Sequence, residues 1–176
     1  MAKSVVFHNV QEIGRYRETI LSNLSHSVSM MKVLFENEDV QEVFRRCKFE
    51  KIVKEPISGE PENLMEVINQ SQTYLVSLKA VEFLFGKYPE KRFVVNWGNA
   101  SGHDIESVDG TVIAECFAAT SYKSNGKLTA DLKRLAENTT AKDKYEFFHV
   151  LDFSEKSRKY YEKTYTGISI IKFDRI

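Results

Sequence analysis

The stretch Gly102-His103-Asp104-Ile105-Glu106-Ser107-Val108-Asp109-Gly110-Thr111-Val112-Ile113-Ala114-Glu115-Cys116-Phe117 decides the reading of this chain. Two extended runs, 103–107 and 111–120, flank Asp109-Gly110, and Asp-Gly between such runs is a strong hairpin signal. A two-residue turn there sets Val108 against Thr111. Counting outward, Asp104 faces Glu115 and His103 faces Cys116. Directly opposed residues hold their Cβ atoms roughly 4.5–5.5 Å apart, so the two acids repel. The second run is apolar on both faces, with Val112, Ala114, Cys116 and Ala118 on one and Ile113, Phe117 and Ala119 on the other. Such a strand belongs at the centre of a sheet, covered on both sides. Glu115 is its single charge. A covered carboxylate needs a partner or a proton, and a divalent cation would relieve the pair because hard cations take carboxylate oxygens. A solvated acid pair, a longer turn or a one-residue register slip would leave the two acids incidental. Alternation points His103 to the opposite face, away from Asp104.

Upstream, the apolar period is that of helices. Ile13, Tyr16, Ile20, Leu24, Val28, Met31 and Phe35 form one stripe. A shorter helix is expected at 40–49, with Val43 and Phe44 on its inner side. Pro56 and Pro61 mark a loop, and a second long helix runs from about 62 to 85, stopped by Gly86 and Pro89. The period then falls to two. Residues 92–97 read as a strand with Phe93, Val95 and Trp97 on one face, ahead of the hairpin. Downstream, Asn125-Gly126 precedes a helix marked by Leu128, Leu132 and Leu135. A strand follows at 145–153, a helix opened by Ser154-Glu155, and a final strand at 168–173. The core order is helix, three strands, helix, strand, helix, strand. The expected fold is α/β, a mixed central sheet of about five strands with flanking helices. A helical N-terminal part, 1–55, packs on a core, 62–176, as one compact domain.

Composition narrows the function classes. The 176 residues carry 25 basic and 25 acidic side chains, 42% are hydrophobic, and Gly (8) and Pro (3) are scarce, which excludes a polybasic DNA-coating protein and a collagen-like chain and disfavours disorder. The apolar runs are too short for a membrane span or a secretion signal, so the expected compartment is the cytoplasm. Cys47 and Cys116 stand far apart with no neighbouring cysteine, which disfavours a disulfide framework or a zinc site. No glycine-rich phosphate loop and no Ser-His-Asp pattern occur.

The hairpin, with Asp104 before the turn and Ile113-Ala114-Glu115-Cys116-Phe117 after it, resembles the PD-(D/E)XK nuclease superfamily, as does the following Asn125-Gly126-Lys127-Leu128-Thr129-Ala130-Asp131-Leu132-Lys133-Arg134-Leu135. The resemblance covers roughly residues 62–153. It implies a restriction-endonuclease-like core and a divalent-metal-dependent endonuclease that hydrolyses DNA phosphodiester bonds, in restriction-type fashion. Mg²⁺ or Mn²⁺ would sit on Asp104 and Glu115, with Glu82 on the preceding helix as a third ligand. Two positions depart from the pattern. The proline expected before the aspartate is His103, and the lysine expected two after the glutamate is Phe117, which can neither donate a hydrogen bond nor carry charge. Lys127, and after it Lys123, are the lysines that could supply the missing charge. If none does, the fold is a catalytically silent module that binds nucleic acid or protein. The resemblance also allows a homodimer, with the N-terminal helices as its interface.

Charge is uneven along the chain. Residues 117–176 are net basic and residues 1–116 net acidic. Lys133, Arg134, Lys142 and Lys144 are therefore candidate contacts to a DNA backbone. Tyr160, Tyr161 and Tyr165 could stack on bases, but core packing is the better account of them.

Overall fold

The computed structural model describes residues 3–98 and 100–176. The chain divides into two compact units, a sheet unit of residues 1–13 and 73–176 and a helical unit of residues 14–72.

The sheet unit holds six strands: β1 (Lys3–Phe7), β4 (Phe93–Trp97), β5 (Ile105–Ser107), β6 (Val112–Ala118), β7 (Asp143–His149) and β8 (Ile168–Lys172), in the order β1-β4-β5-β6-β7-β8. The first four are antiparallel neighbours, and β7 and β8 add on parallel. This is an α/β unit with a mixed sheet. The sixth strand is β1, whose three apolar residues are too few to read as a strand alone. It pairs only with β4, and Phe7 is fully buried with its ring 6.1 Å from Trp97. Residues 3–13 thus belong with the sheet, not with a helical N-terminal part as expected.

The two faces of the sheet carry different helices. Phe83 of α3 (Leu64–Lys87) sets its ring against Tyr145 and Phe147. On the other face, α4 (Lys127–Glu137) lays Leu128, Leu132 and Leu135 on Ile113, Phe117 and Phe148. A single 3₁₀ turn, Ser124–Gly126, precedes α4, with Asn125 and Gly126 both left-handed. Helix α5 (Glu155–Thr164) is capped by Ser154, whose side chain accepts from Ser157 N–H, as the sequence suggests. The strand expected to reach 153 ends at His149.

The helical unit contains α1 (Glu12–Asn37), α2 (Val40–Phe49), the short pair β2 (Val53–Lys54) and β3 (Pro61–Glu62), and the start of α3. Its core is Leu34, Val43, Cys47, Val53, Leu64 and Val67. On α2 the inner residues are Val43 and Cys47, one turn apart. Phe44 is turned outward at 74% exposure, so its expected inner place is corrected. Among the described residues no helix is long and apolar enough to cross a membrane.

Candidate metal centre

The hairpin keeps the expected register, since Ile105 pairs with Ala114 and Glu106 with Ile113. One step further out, Asp104 and Glu115 are opposed. The turn that achieves this is not a two-residue one. Asp109 keeps a negative φ, Gly110 alone is left-handed (φ 69°), and Gly110 N–H donates to Ser107 C=O. Ser107 Oγ then accepts from Val112 N–H at 2.9 Å.

Before Ile105 the chain is no longer a strand. Gly102 has φ 101°, a conformation that strains any side chain, and a Cβ there would displace the Glu106 carboxylate, whose Oε1 would lie 2.6 Å away. Glu106 Oε1 accepts His103 N–H at 2.7 Å and closes the bend. Alternation therefore stops holding at His103, and its ring swings to the face it was expected to avoid. His103 Nδ1 lies 2.5 Å from Glu115 Oε1. Asn138 identifies the proton on this ring. Its Oδ1 accepts from Ala141 N–H and Thr140 N–H, so its amide nitrogen points at His103 Nε2, 3.3 Å away. Nε2 accepts, and Nδ1–H donates to Glu115.

Two adjacent strands and the bend before β5 bring acids to this face. Glu115 on β6 is registered with Glu146 on β7, and both are fully buried. Asp104 lies beside Glu115, its Oδ2 accepting Cys116 N–H at 2.8 Å. Across from this row, α4 presents Lys127, Asp131 and Arg134 on one stripe at helical spacing. Lys127 Nζ donates to Asp131 Oδ1 at 2.8 Å, and Arg134 Nη2 donates to Glu115 Oε2. Four carboxylates thus share a buried layer with two cations.

The electrostatics follow from that excess. Burial, reinforced by the neighbouring Glu115 charge, pushes the Asp104 carboxyl up to about 7. Burial also raises Glu146 well above the carboxylate range, helped by Asp131 and Glu115. Asp131 is raised by burial against the opposing pull of Lys127. Burial lowers Lys127, but Asp131, Asp104 and Glu115 outweigh it and hold the ammonium above its ordinary value. Both oxygens of Glu146 and Oδ2 of Asp131 are buried without a hydrogen-bond partner. Orphaned buried oxygens of this kind are rare, and each calls for an explanation such as a bound water, an ion or a functional role.

Among the described residues no three His, Cys, Asp or Glu side chains are already gathered as a ligand set. The donor chemistry nonetheless fits a hard divalent cation, because all the candidate donors are carboxylate oxygens and the layer has two more carboxylates than cations.

The remaining expected residues divide. Phe117 is buried and stacks on Phe148 with centroids 5.2 Å apart, so this position is apolar core. Lys127 reaches the acid layer. Lys123 does not, and its Nζ lies 5.5 Å from the Tyr122 ring. Glu82 is exposed on α3, the helix of the opposite face, and is not brought to the acids. Arg134, expected on a DNA backbone, turns inward to Glu115. Lys144 is half-buried and donates to Asn138 C=O at the end of α4. Lys133 and Lys142 are exposed.

Two acids escaped the sequence reading, and each had a signal. Glu146 is the lone charge in Tyr145-Glu146-Phe147-Phe148, the same pattern that singled out Glu115. Asp131 follows Lys127 by one turn among three core leucines.

Comparison with protein-family models, with curated proteins and with solved structures finds no match to this chain.

Proposed function

We propose that the sheet unit is a restriction-endonuclease-like core and a divalent-metal-dependent endonuclease acting on DNA. The observation that carries this reading is the opposition of Asp104 and Glu115 at the end of the hairpin, with the Lys127 ammonium, bonded to Asp131 on α4, near enough to feel both charges. Position 117 lies in the leucine cluster, so a lysine there would be buried in apolar surroundings, whereas one at the start of α4 can reach the acids from the helix terminus.

Asp104 and Glu115 would hold Mg²⁺ or Mn²⁺, with Glu146 as the next carboxylate available. A bound divalent cation supplies charge neutralisation at the phosphoryl oxygens and lowers the pKa of an attacking water. Lys127 orients that water and offsets charge growing on the phosphate. Arg134 must release Glu115 for the carboxylate to turn to a cation, and its half-exposed side chain has room to do so. Lys133 and Lys142 are left as exposed cations for the backbone.

Each chain offers one such centre and a duplex has two strands, so the reading includes a homodimer. The exposed Phe35, Phe44 and Phe49 of the helical unit are the apolar surface it would cover, and sedimentation with and without Phe44→Asp is the check.

The direct test is cutting. Purified protein with Mg²⁺ or Mn²⁺ nicks or cleaves a sequence-diverse, unmethylated DNA panel, EDTA stops it, and Glu115→Ala removes it. A second reading, a silent fold that binds without cutting, is favoured by one observation: both Glu115 oxygens are already engaged, by His103 and Arg134. Under it, the wild type cuts nothing in the panel even where metal raises the melting temperature.

A further inference from the structure

A cleft lies between the loop that leads toward α4 and helix α5. The loop after β6 is pinned by Asp152, which accepts Ser121 Oγ–H at 2.7 Å and Tyr122 N–H at 3.1 Å. Pinned there, the loop forms a cleft of about 480 Å³ with α5, lined by Tyr122, Lys123, Lys156, Ser157, Tyr160 and Tyr161. That volume is in the range of small-ligand sites.

The lining is built in two layers. Tyr122 and Tyr161 form the floor. They are half-buried, cross edge to face at 6.2 Å, and both pack on the core cluster with Phe153. Ser157 Oγ donates to Tyr122 Oη at 3.3 Å and ties the floor to α5. Tyr160 is the wall. Its ring stands 5.2 Å from Tyr161 at 80° and is 62% exposed. The apolar core does not use that ring. Lys123 and Lys156 stand exposed at the rim, and no carboxylate is among the six lining residues.

An open aromatic wall over a fixed aromatic floor, with two ammonium groups at the edge, suits a flat ring carrying a phosphate. We infer that this cleft takes an unpaired nucleotide of a DNA strand, its base stacked on Tyr160 and its phosphate at Lys123 and Lys156. The inference rests on the endonuclease reading and names its substrate class: DNA with an unpaired stretch beside the cut. Within a duplex, base faces are covered by their neighbours, so tyrosine stacking selects single strands. The distance is compatible. Lys123 and Lys127 are four residues apart, so their Cα atoms lie within about 14 Å. At the duplex rise of roughly 3.4 Å per nucleotide, that is at most about four nucleotides of one strand.

The test is binding in EDTA, where cutting plays no part. A fluorescein-labelled oligothymidylate twelve-mer and a twelve-pair duplex are titrated against wild type, Tyr160→Ala, Tyr160→Phe and the double variant Lys123→Ala with Lys156→Ala. The expected result is tighter binding of the single strand than of the duplex. Tyr160→Ala weakens single-strand binding at least fivefold and leaves duplex binding within twofold, and Tyr160→Phe restores it. The double lysine variant weakens single-strand binding and flattens its salt dependence. A 2-aminopurine base in the strand is quenched by wild type and less so by Tyr160→Ala. Single-strand affinity unchanged in Tyr160→Ala, equal losses for both DNAs, or no binding of the twelve-mer at low salt each overturns the proposal. Single-strand binding that behaves as expected in a protein that cuts nothing with Mg²⁺ removes the endonuclease reading and keeps the cleft.

Discussion

The two faces of the sheet handle buried polarity in opposite ways. On the α3 face, buried hydroxyls have partners: Tyr145 Oη is met by Lys87 Nζ at 2.6 Å and by Tyr88 Oη at 2.7 Å, and Ser77 Oγ donates to Thr73 C=O at 3.0 Å. Around it Tyr145, Phe147 and Phe173 stack, and Phe83 closes the layer. On the α4 face, half of the contact is an equally dry layer of Leu128, Leu132, Leu135, Phe117 and Phe148, but the other half is Glu115, Glu146 and Asp131 with orphaned oxygens. The same strands contribute to both faces. The difference therefore comes from which residues were placed on each side, and it separates a face built for stability from one that gives up stability for a charged site.

The largest expected effect sharpens the first half of that contrast. Phe147→Ala, on the α3 face, should lower the unfolding free energy by about 3–5 kcal/mol, read by urea melts, as for other deeply packed aromatics. It should do so equally with and without Mg²⁺. A loss under 1 kcal/mol would mean that this face is not the stabilising one.

Glu146→Leu tests the other half. Replacing a buried, poorly partnered charge site with a hydrophobe of similar volume is often neutral or stabilising by about 1–4 kcal/mol. The melt in EDTA should move upward or stay level. A fall of more than 1 kcal/mol would show that Glu146 already has structural compensation, and the two faces would no longer differ.

Lys127→Ala should slow metal-dependent cutting at least tenfold, about 1.4 kcal/mol in the transition state. The unfolding free energy should move by less than that, since the Lys127 ammonium is half-exposed. Cutting at the wild-type rate would place the missing charge elsewhere.

The smallest effect is a slope with pH. Burial and Glu115 raise Asp104 from 3.8 to about 7, so the folded chain binds a proton that the unfolded chain has already lost. The contribution of Asp104 to stability in EDTA should be full below about pH 4 and be lost as pH rises toward 7, because protons favour the state that binds more of them. Asp104→Asn should flatten that decline. Carboxyls held low by hydrogen bonds, such as Asp109 and Asp152, pull the other way in both proteins. A difference between wild type and Asp104→Asn that does not change with pH over this window would contradict the assignment.

Much of this was legible in the residues. The change of period at residue 92 gave the element order, because helix and strand burial repeat differently. Asp104 and Glu115 were found by counting across Asp109-Gly110, although the real turn is built by Ser107 and Gly110. His103 was misplaced because alternation presumes a strand, and the Gly102 bend ends the strand one residue too early for that rule. Phe44 was misplaced because α2 buries only a narrow stripe, Val43 and Cys47 one turn apart, which leaves the adjacent position facing outward. The inward turn of Arg134 was hidden, since a surface arginine and one reaching a buried glutamate are identical in sequence.

Strand β1 has one more consequence. Val5 is registered with Val95, so the whole helical unit lies between the two partners along the chain. Closing a loop of that length carries an entropic cost of about 4 kcal/mol, and during synthesis β1 emerges long before β4 exists to receive it. The edge of β4 therefore stays unpaired until late in folding, with its backbone N–H and C=O groups available to a neighbouring chain. A lesion in Val5, Val6 or Phe7 should reveal itself less in the activity of folded molecules than in how many molecules reach the folded state before aggregating.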